Sequence, residues 1–85
     1  MTIRVVGWFG PKTEQTLLNA QAALNDFEPA GKVKWISDVQ EMKALGISRT
    51  PAVIINEKLK SAGRVLSVYE IKSWIEKELV EEVTL

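Results

Sequence analysis

The chain has 85 residues, of which 46% are hydrophobic and 26% charged, and its 11 basic and 11 acidic side chains cancel. This length predicts one small domain over residues 1–85, without room for a second hydrophobic core. The balanced charge, with no basic run, does not favour nucleic-acid binding, and no apolar run approaches the roughly 20 residues of a membrane span.

Cysteine and histidine are both absent from the chain. The usual metal ligands are therefore missing, and the scattered carboxylates lack an ion-binding spacing, so we predict neither a metal nor another cofactor. The serines have no histidine to activate them, so we predict no enzymatic activity. The N-terminal segment does not have the pattern of a secretory signal, so we expect a cytoplasmic location.

The first segments of the chain predict a strand followed by a helix. Residues 3–6 are short and β-branched, and Gly7 closes this strand. Apolar residues at helical spacing predict a helix from residue 12 or 13 to about residue 27. Its apolar stripe, widened by Leu18, comprises Leu17, Ala20, Leu24 and Phe27.

A second strand and a short helix are predicted next. Residues 29–31 break the first helix, and the alternating residues 32–36 predict a strand. Asp38 is expected to cap a short helix, with Glu41 in the capping-box position, and Gly46 to end it in a left-handed conformation. The buried side of this helix is predicted to comprise Val39, Met42 and Leu45.

A hairpin and a last helix complete the prediction. The continuous apolar run 51–56 is typical of a central strand, residues 56–58 of a turn, and residues 59–62 of a returning strand. Residues 67–70 form a capping box that opens a helix, and residues 81–85 are expected to be a frayed tail. The apolar stripe of this helix is predicted to comprise Val68, Ile71, Ile75 and Leu79.

The predicted order is therefore β-α-β-α-β-β-α, an α/β fold. The first crossover makes the first two strands parallel, and the last two form an antiparallel hairpin. We predict a mixed four-stranded sheet with helices on its faces. We also expect Trp35 and Trp74 to pack against the core, and the acidic residues 76–82 to form a solvated helix end.

This order, with Thr50-Pro51 immediately before the third strand, resembles the thioredoxin fold in its compact, glutaredoxin-like form. More narrowly, it is similar to the small thioredoxin-like redox-active disulfide proteins of archaea and bacteria. The resemblance implies a cis peptide bond at Thr50-Pro51, which leaves the preceding backbone free to pair with an extended peptide or a glutathione-like ligand. The residues that carry it are Gly7, Gly10-Pro11-Lys12, Asn19-Ala20, Thr50-Pro51 and Ser61-Ala62-Gly63-Arg64-Val65.

The chain departs from this family at the active-site loop, because the C-x-x-C cysteines are missing. Aligned without gaps to the small proteins, Gly10 and Thr13 occupy the two cysteine positions. Aligned to the loop of ordinary thioredoxins, Phe9 and Lys12 occupy them instead. We prefer the gapless alignment, which needs fewer adjustments. Since a thiolate is the nucleophile of thiol–disulfide exchange, neither alignment leaves that chemistry available.

The candidate binding face is the former active-site face of this fold. Trp8 and Phe9 are either exposed anchors for a partner or a lid on the core, and we expect at least one to be exposed. Arg64 either pairs with an acidic ligand group or is a solvated arginine near a helix start. The predicted face comprises Trp8, Phe9, Gly10, Pro11, Lys12, Thr13, Thr50, Pro51, Gly63 and Arg64.

Three functional hypotheses follow. The first is a redox-inactive thioredoxin-fold protein that binds a peptide, a protein or a small ligand at this face. The second is a structural or assembly role, in which the aromatic loop forms a homodimer. The third retains a thiol–disulfide oxidoreductase role and requires a partner to supply every thiol.

Overall fold

The computed structural model describes residues 1–28 and 31–83. The predicted break at residues 29–31 and the tail at 81–85 thus lie partly outside the described residues. The observed order of elements confirms the predicted β-α-β-α-β-β-α fold. The elements are β1 (Thr2–Val6), α1 (Pro11–Leu24), β2 (Lys32–Ile36), α2 (Val39–Ala44), β3 (Ala52–Ile55), β4 (Lys58–Ala62) and α3 (Val68–Val83).

The four strands form one mixed sheet in the order β2-β1-β3-β4. β1 pairs parallel to β2 and antiparallel to β3, and β3 pairs antiparallel to β4. All four residues of β3 are buried, which explains the continuous apolar run at this position. The register sets Val6 opposite Ala52, so the loops after β1 and before β3 meet at one end of the sheet.

The two faces of the sheet are covered unequally. α1 and α3 cover one face, and the smaller α2 covers part of the other. The buried residues of the larger cluster are Ile3, Val5, Ala20, Ala23, Leu24, Val53, Ile55, Leu66, Ile71 and Ile75. Those of the smaller cluster are Val6, Met42, Ile47, Ala52 and Ile54.

Turns and caps largely follow the sequence signals. Gly46 ends α2 with a φ of 72°, and the Asp38 carboxylate accepts a hydrogen bond from the Gln40 amide. At the start of α3, the Glu70 amide donates to the Ser67 hydroxyl while the Glu70 carboxylate accepts from the Ser67 amide. This reciprocal pair is the predicted capping box.

Five apolar residues that were placed on predicted apolar stripes or against the core are exposed, among them Trp35 at 44% and Leu79 at 38%. Leu18 does not widen the buried stripe of α1, since it is 60% exposed. Val39 and Leu45 are 44% and 46% exposed, and only Met42 of the predicted side of α2 is buried. The reason is geometric: a helix of six residues can bury little more than one turn against the sheet, and Ile47 completes that cluster instead.

α3 extends further than predicted, because residues 81–83 are helical rather than a frayed tail. The side-chain amide of Asn56 donates to the Glu82 carboxylate at 2.8 Å, and Lys58 Nζ lies 2.6 Å from Glu81 Oε2. These contacts join the hairpin turn to the end of the helix. No helix in the described ranges is both long enough and apolar enough to span a bilayer.

The acidic end of α3 is not wholly solvated, contrary to the prediction. Glu78 is 2% exposed and accepts from Lys60 at 2.5 Å, while Lys58 Nζ lies 3.4 Å from its other oxygen. Lys60 Nζ also lies 4.9 Å from the centroid of the half-buried Trp74 ring. Glu78 therefore belongs to the interface between β4 and α3.

Candidate functional site

The candidate site begins where β1 gives way to α1. Gly10 is the N-cap residue of α1, and Pro11 is its first helical residue, a position at which the missing amide hydrogen costs nothing. The Gly10 carbonyl accepts from the Glu14 amide at 2.9 Å. Thr13 lies in the first turn of this helix, whose N-cap makes no side-chain hydrogen bond.

A groove of about 390 Å³ lies between this loop and the segment before β3. Trp8 forms one wall and remains 55% exposed. Seven of the ten predicted site residues meet here: Trp8, Gly10, Pro11, Lys12, Thr13, Thr50 and Pro51.

Thr50 and Pro51 form the opposite wall of the groove. The peptide bond between them is cis, and the Pro51 carbonyl accepts from the Gly63 amide at 2.9 Å. Within residues 1–28 and 31–83, neither the amide nor the carbonyl of Thr50 has a hydrogen-bond partner. Thr50 thus presents one free donor and one free acceptor beside the groove.

Arg64 does not line the groove. Its guanidinium hydrogen-bonds both carboxylate oxygens of Glu70. This contact, together with the Ser67 amide, lowers the pKa of Glu70 from 4.5 to about 2. Arg64 therefore stabilises the start of α3.

Arg49 is the cation that the sequence analysis missed. A Cβ atom built on Gly63, whose φ is 93°, would lie only 3.0 Å from Arg49 Nε, so the guanidinium lies against this glycine. Lys12 and Arg49 are both exposed, and neither forms an ion pair within the described residues. The position of Arg49, directly before Thr50-Pro51, was the available signal.

Thr13 lies against Gly7 at the base of the loop. It is 5% exposed, and a Cβ atom on Gly7 would lie 2.5 Å from its Oγ1. A larger residue at position 7 would therefore displace the helix start. The threonine occupies one of the two cysteine positions of the gapless alignment, and the chain has no histidine to activate its hydroxyl.

Phe9 does not line the groove. It is 86% exposed, and its ring centroid is 6.2 Å from that of Trp35, at 45°. The Trp35 indole N–H donates to the Gly7 carbonyl at 2.8 Å, so this half-exposed ring is held at the edge of the sheet. A second cleft, of about 60 Å³, is lined by Phe9, Gly10, Thr13, Glu14, Leu17 and Trp35.

This face carries neither a thiol nor an imidazole. The chain has no cysteine and no histidine, and the described residues hold no cluster of three or more acidic side chains able to bind a metal ion. What remains is a groove with apolar walls, the unpaired cation of Lys12 and the unpaired main chain of Thr50.

Comparison with known proteins agrees with this geometry. No curated protein matches the chain. Residues 1–76 match the family described as the thioredoxin domain. Since that match covers most of the chain, the protein belongs to the thioredoxin-domain family, of which it is a member without cysteine.

Proposed function

We propose that this protein is a redox-inactive, non-enzymatic thioredoxin-fold protein that binds an extended peptide segment of a partner protein in the groove beside Thr50. The observation that carries the proposal is the unpaired main chain of Thr50. An extended peptide satisfies such a donor and acceptor by adding strand-like hydrogen bonds, and side-chain pockets then supply specificity.

The surroundings of Thr50 support a peptide more than a small metabolite. The groove is open along one side and lies between Trp8 and Pro51, with no phosphate-cradling glycine loop. Its lining includes the exposed Lys12, so a segment with a carboxylate near Thr50 is favoured electrostatically. Aromatic residues such as Trp8 are frequent anchors in protein interfaces.

Peptide selection followed by NMR tests this proposal. Peptides displayed on phage are selected against the immobilised protein, and the best binders are titrated into ¹⁵N-labelled protein. We expect the amide resonances of Thr50 and the loop 8–13 to shift, and Lys12→Glu to weaken binding. The matched control is Lys43→Glu, an exposed charge reversal on α2.

Two results would overturn the proposal. One is shifts confined to α3 and absent from Thr50. The other is turnover in an insulin-reduction assay above that of a protein-free control, which would contradict the redox-inactive role.

Homodimer formation through the aromatic loop is the second candidate, favoured by the exposure of Phe9 and Trp8 at one end of the molecule. Sedimentation velocity at high micromolar concentration separates the two. A dimer that dissociates on Phe9→Ala, but not on the control Tyr69→Ala, supports assembly, whereas a strict monomer excludes it.

A further inference from the structure

We propose that the cleft between Phe9 and Trp35 is a second subsite for the same bound peptide, and that it takes an aliphatic side chain followed by a basic residue. This inference rests on the proposed function, since it names the class of peptide that would bind.

The cleft is preformed and apolar. Trp35 is held by its hydrogen bond to the Gly7 carbonyl, and Leu17 closes the base from α1. Phe9 leaves 86% of its surface exposed while it contacts Trp35. The cleft is small, with a volume of about 60 Å³ against about 390 Å³ for the groove beside Thr50. It therefore suits the tip of an aliphatic side chain better than an indole or phenol ring.

Gly10 makes the two clefts continuous. Gly10 and Thr13 line both the groove beside Thr50 and the cleft beside Trp35. A Cβ atom built on Gly10 would meet no atom within 4 Å, so the ridge between the clefts is low and unobstructed. Alternate side chains of an extended strand lie about 7 Å apart on one side. One peptide crossing Gly10 can thus fill both clefts.

Glu14 supplies the charge preference of this subsite. It is exposed on the first turn of α1, lines the cleft, and has no ion-pair partner within the described residues. A basic residue next to the aliphatic anchor would complement it, whereas an acidic one would be repelled. Because Lys12 lines the other cleft, the two ends of the peptide are distinguished by charge.

An array of immobilised octapeptides tests the inference. Each peptide places one aliphatic residue in a Ser/Thr background and sets Lys, Ser or Glu beside it. We expect Leu-Lys peptides to bind best. Phe9→Ala should weaken them about tenfold, as for loss of a modest hot spot, and Glu14→Lys should reverse the preference from Lys to Glu. The matched controls are Leu18→Ala and Glu76→Lys, which change exposed residues outside both clefts.

Gly10→Leu provides a second, independent variant. The backbone at Gly10 is extended, with φ 165° and ψ 173°, so leucine fits without strain and raises the ridge between the clefts. We expect it to abolish the contribution of the aliphatic residue while the protein stays folded, with a small decrease in the thermal midpoint because leucine is a poorer N-cap residue than glycine.

The outcomes separate the two proposals. If Phe9→Ala and Gly10→Leu bind as the wild type does while Lys12→Glu does not, the subsite is refuted and the proposed function stands. If the wild-type protein binds no peptide at micromolar concentration, both are overturned.

Discussion

Lys60 on β4 and Glu78 on α3 form an ion pair of 2.5 Å in which the two side chains are only 10% and 3% exposed. The hydrogen bond from Lys60 lowers the pKa of Glu78, against the opposing effect of burial. Such a pair is costly to desolvate, but removing one member leaves the other charge buried without compensation. The pair therefore connects the hairpin to the last helix, and we expect replacement of either residue alone to destabilise the fold.

We expect Glu78→Ala to lower the free energy of unfolding clearly, as measured by urea denaturation. Glu81→Ala is the matched control, since Glu81 is 57% exposed and such surface pairs contribute little. The double variant Lys60→Met with Glu78→Leu should recover most of the stability, because two apolar side chains replace the pair without a buried charge. Equal effects of the two alanine variants would show that the burial of Glu78 is energetically unimportant.

Acid should weaken the Arg64–Glu70 contact at the start of α3. The pKa of Glu70 falls from 4.5 to about 2 in the folded protein, so its contribution to stability is complete above pH 4.5. That contribution is lost as the pH decreases towards 2, because the unfolded chain then takes up the proton first. In Glu70→Gln, thermal midpoints measured between pH 7 and pH 2 should fall less steeply than in the wild-type protein. Parallel curves for the two proteins would contradict the prediction.

The helical spacing of α3 contained the signal for Glu78 that the sequence analysis did not use. Ile71, Ile75 and Glu78 follow one another at intervals of four and three, so the glutamate lies on the buried stripe. It was expected to be solvated because a lone carboxylate is rarely buried. Its partners Lys60 and Lys58 come from another element, β4, so the spacing within α3 alone could not identify them.

The candidate site shows the same limit of sequence reasoning. The predicted order of elements was enough to bring residues 10–13 and Thr50-Pro51 together. The first segment follows the end of β1 and the second precedes the start of β3, and these two strands are antiparallel neighbours, so both segments lie at the same end of the sheet. That Trp8 lines the groove whereas Phe9 lines the second cleft was not predictable, since neighbouring residues in an irregular loop have no fixed periodicity. Arg64 pairs with Glu70, six residues away, and does not line the groove. This pairing likewise depends on how far the two side chains reach, which the sequence does not show.

α2 offers a test of which residues hold the smaller cluster. Met42 is 4% exposed, so Met42→Ala should reduce the free energy of unfolding by about 2–5 kcal/mol through lost packing and a residual cavity. Val39→Ala, at a site 44% exposed, should change it by less than about 0.5 kcal/mol. Urea denaturation of both variants checks this. The reverse order of effects would mean that α2 packs on the sheet with a different face.

The turn between β3 and β4 carries a correctable strain. Asn56 and Glu57 both have positive φ, of 50° and 68°, as in the type I′ turns that favour Asn-Gly. Replacing Glu57 with glycine should raise the free energy of unfolding by about 0.5–1 kcal/mol. Glycine removes the clash that the Cβ atom of Glu57 makes at positive φ, and this gain exceeds the larger loss of chain entropy that glycine brings on folding. Glu57→Ala keeps the clash and should bring no such gain. A glycine variant no more stable than the alanine variant would refute this account of the turn.

Paired cysteines can decide between the two alignments of the loop. Gly10 and Thr13 are three residues apart at the start of α1 and line the same two clefts, and a Cβ atom on Gly10 has free space. Phe9 and Lys12, by contrast, line different clefts. We therefore expect Gly10→Cys with Thr13→Cys to close a disulfide on oxidation, and Phe9→Cys with Lys12→Cys to keep its thiols free, as counted by thiol titration of the folded protein. Each single cysteine variant controls for intermolecular bridging. Preferential closure of the second pair would place the former reactive positions one residue earlier, because Cβ vectors that point apart cannot be bridged without movement of the backbone.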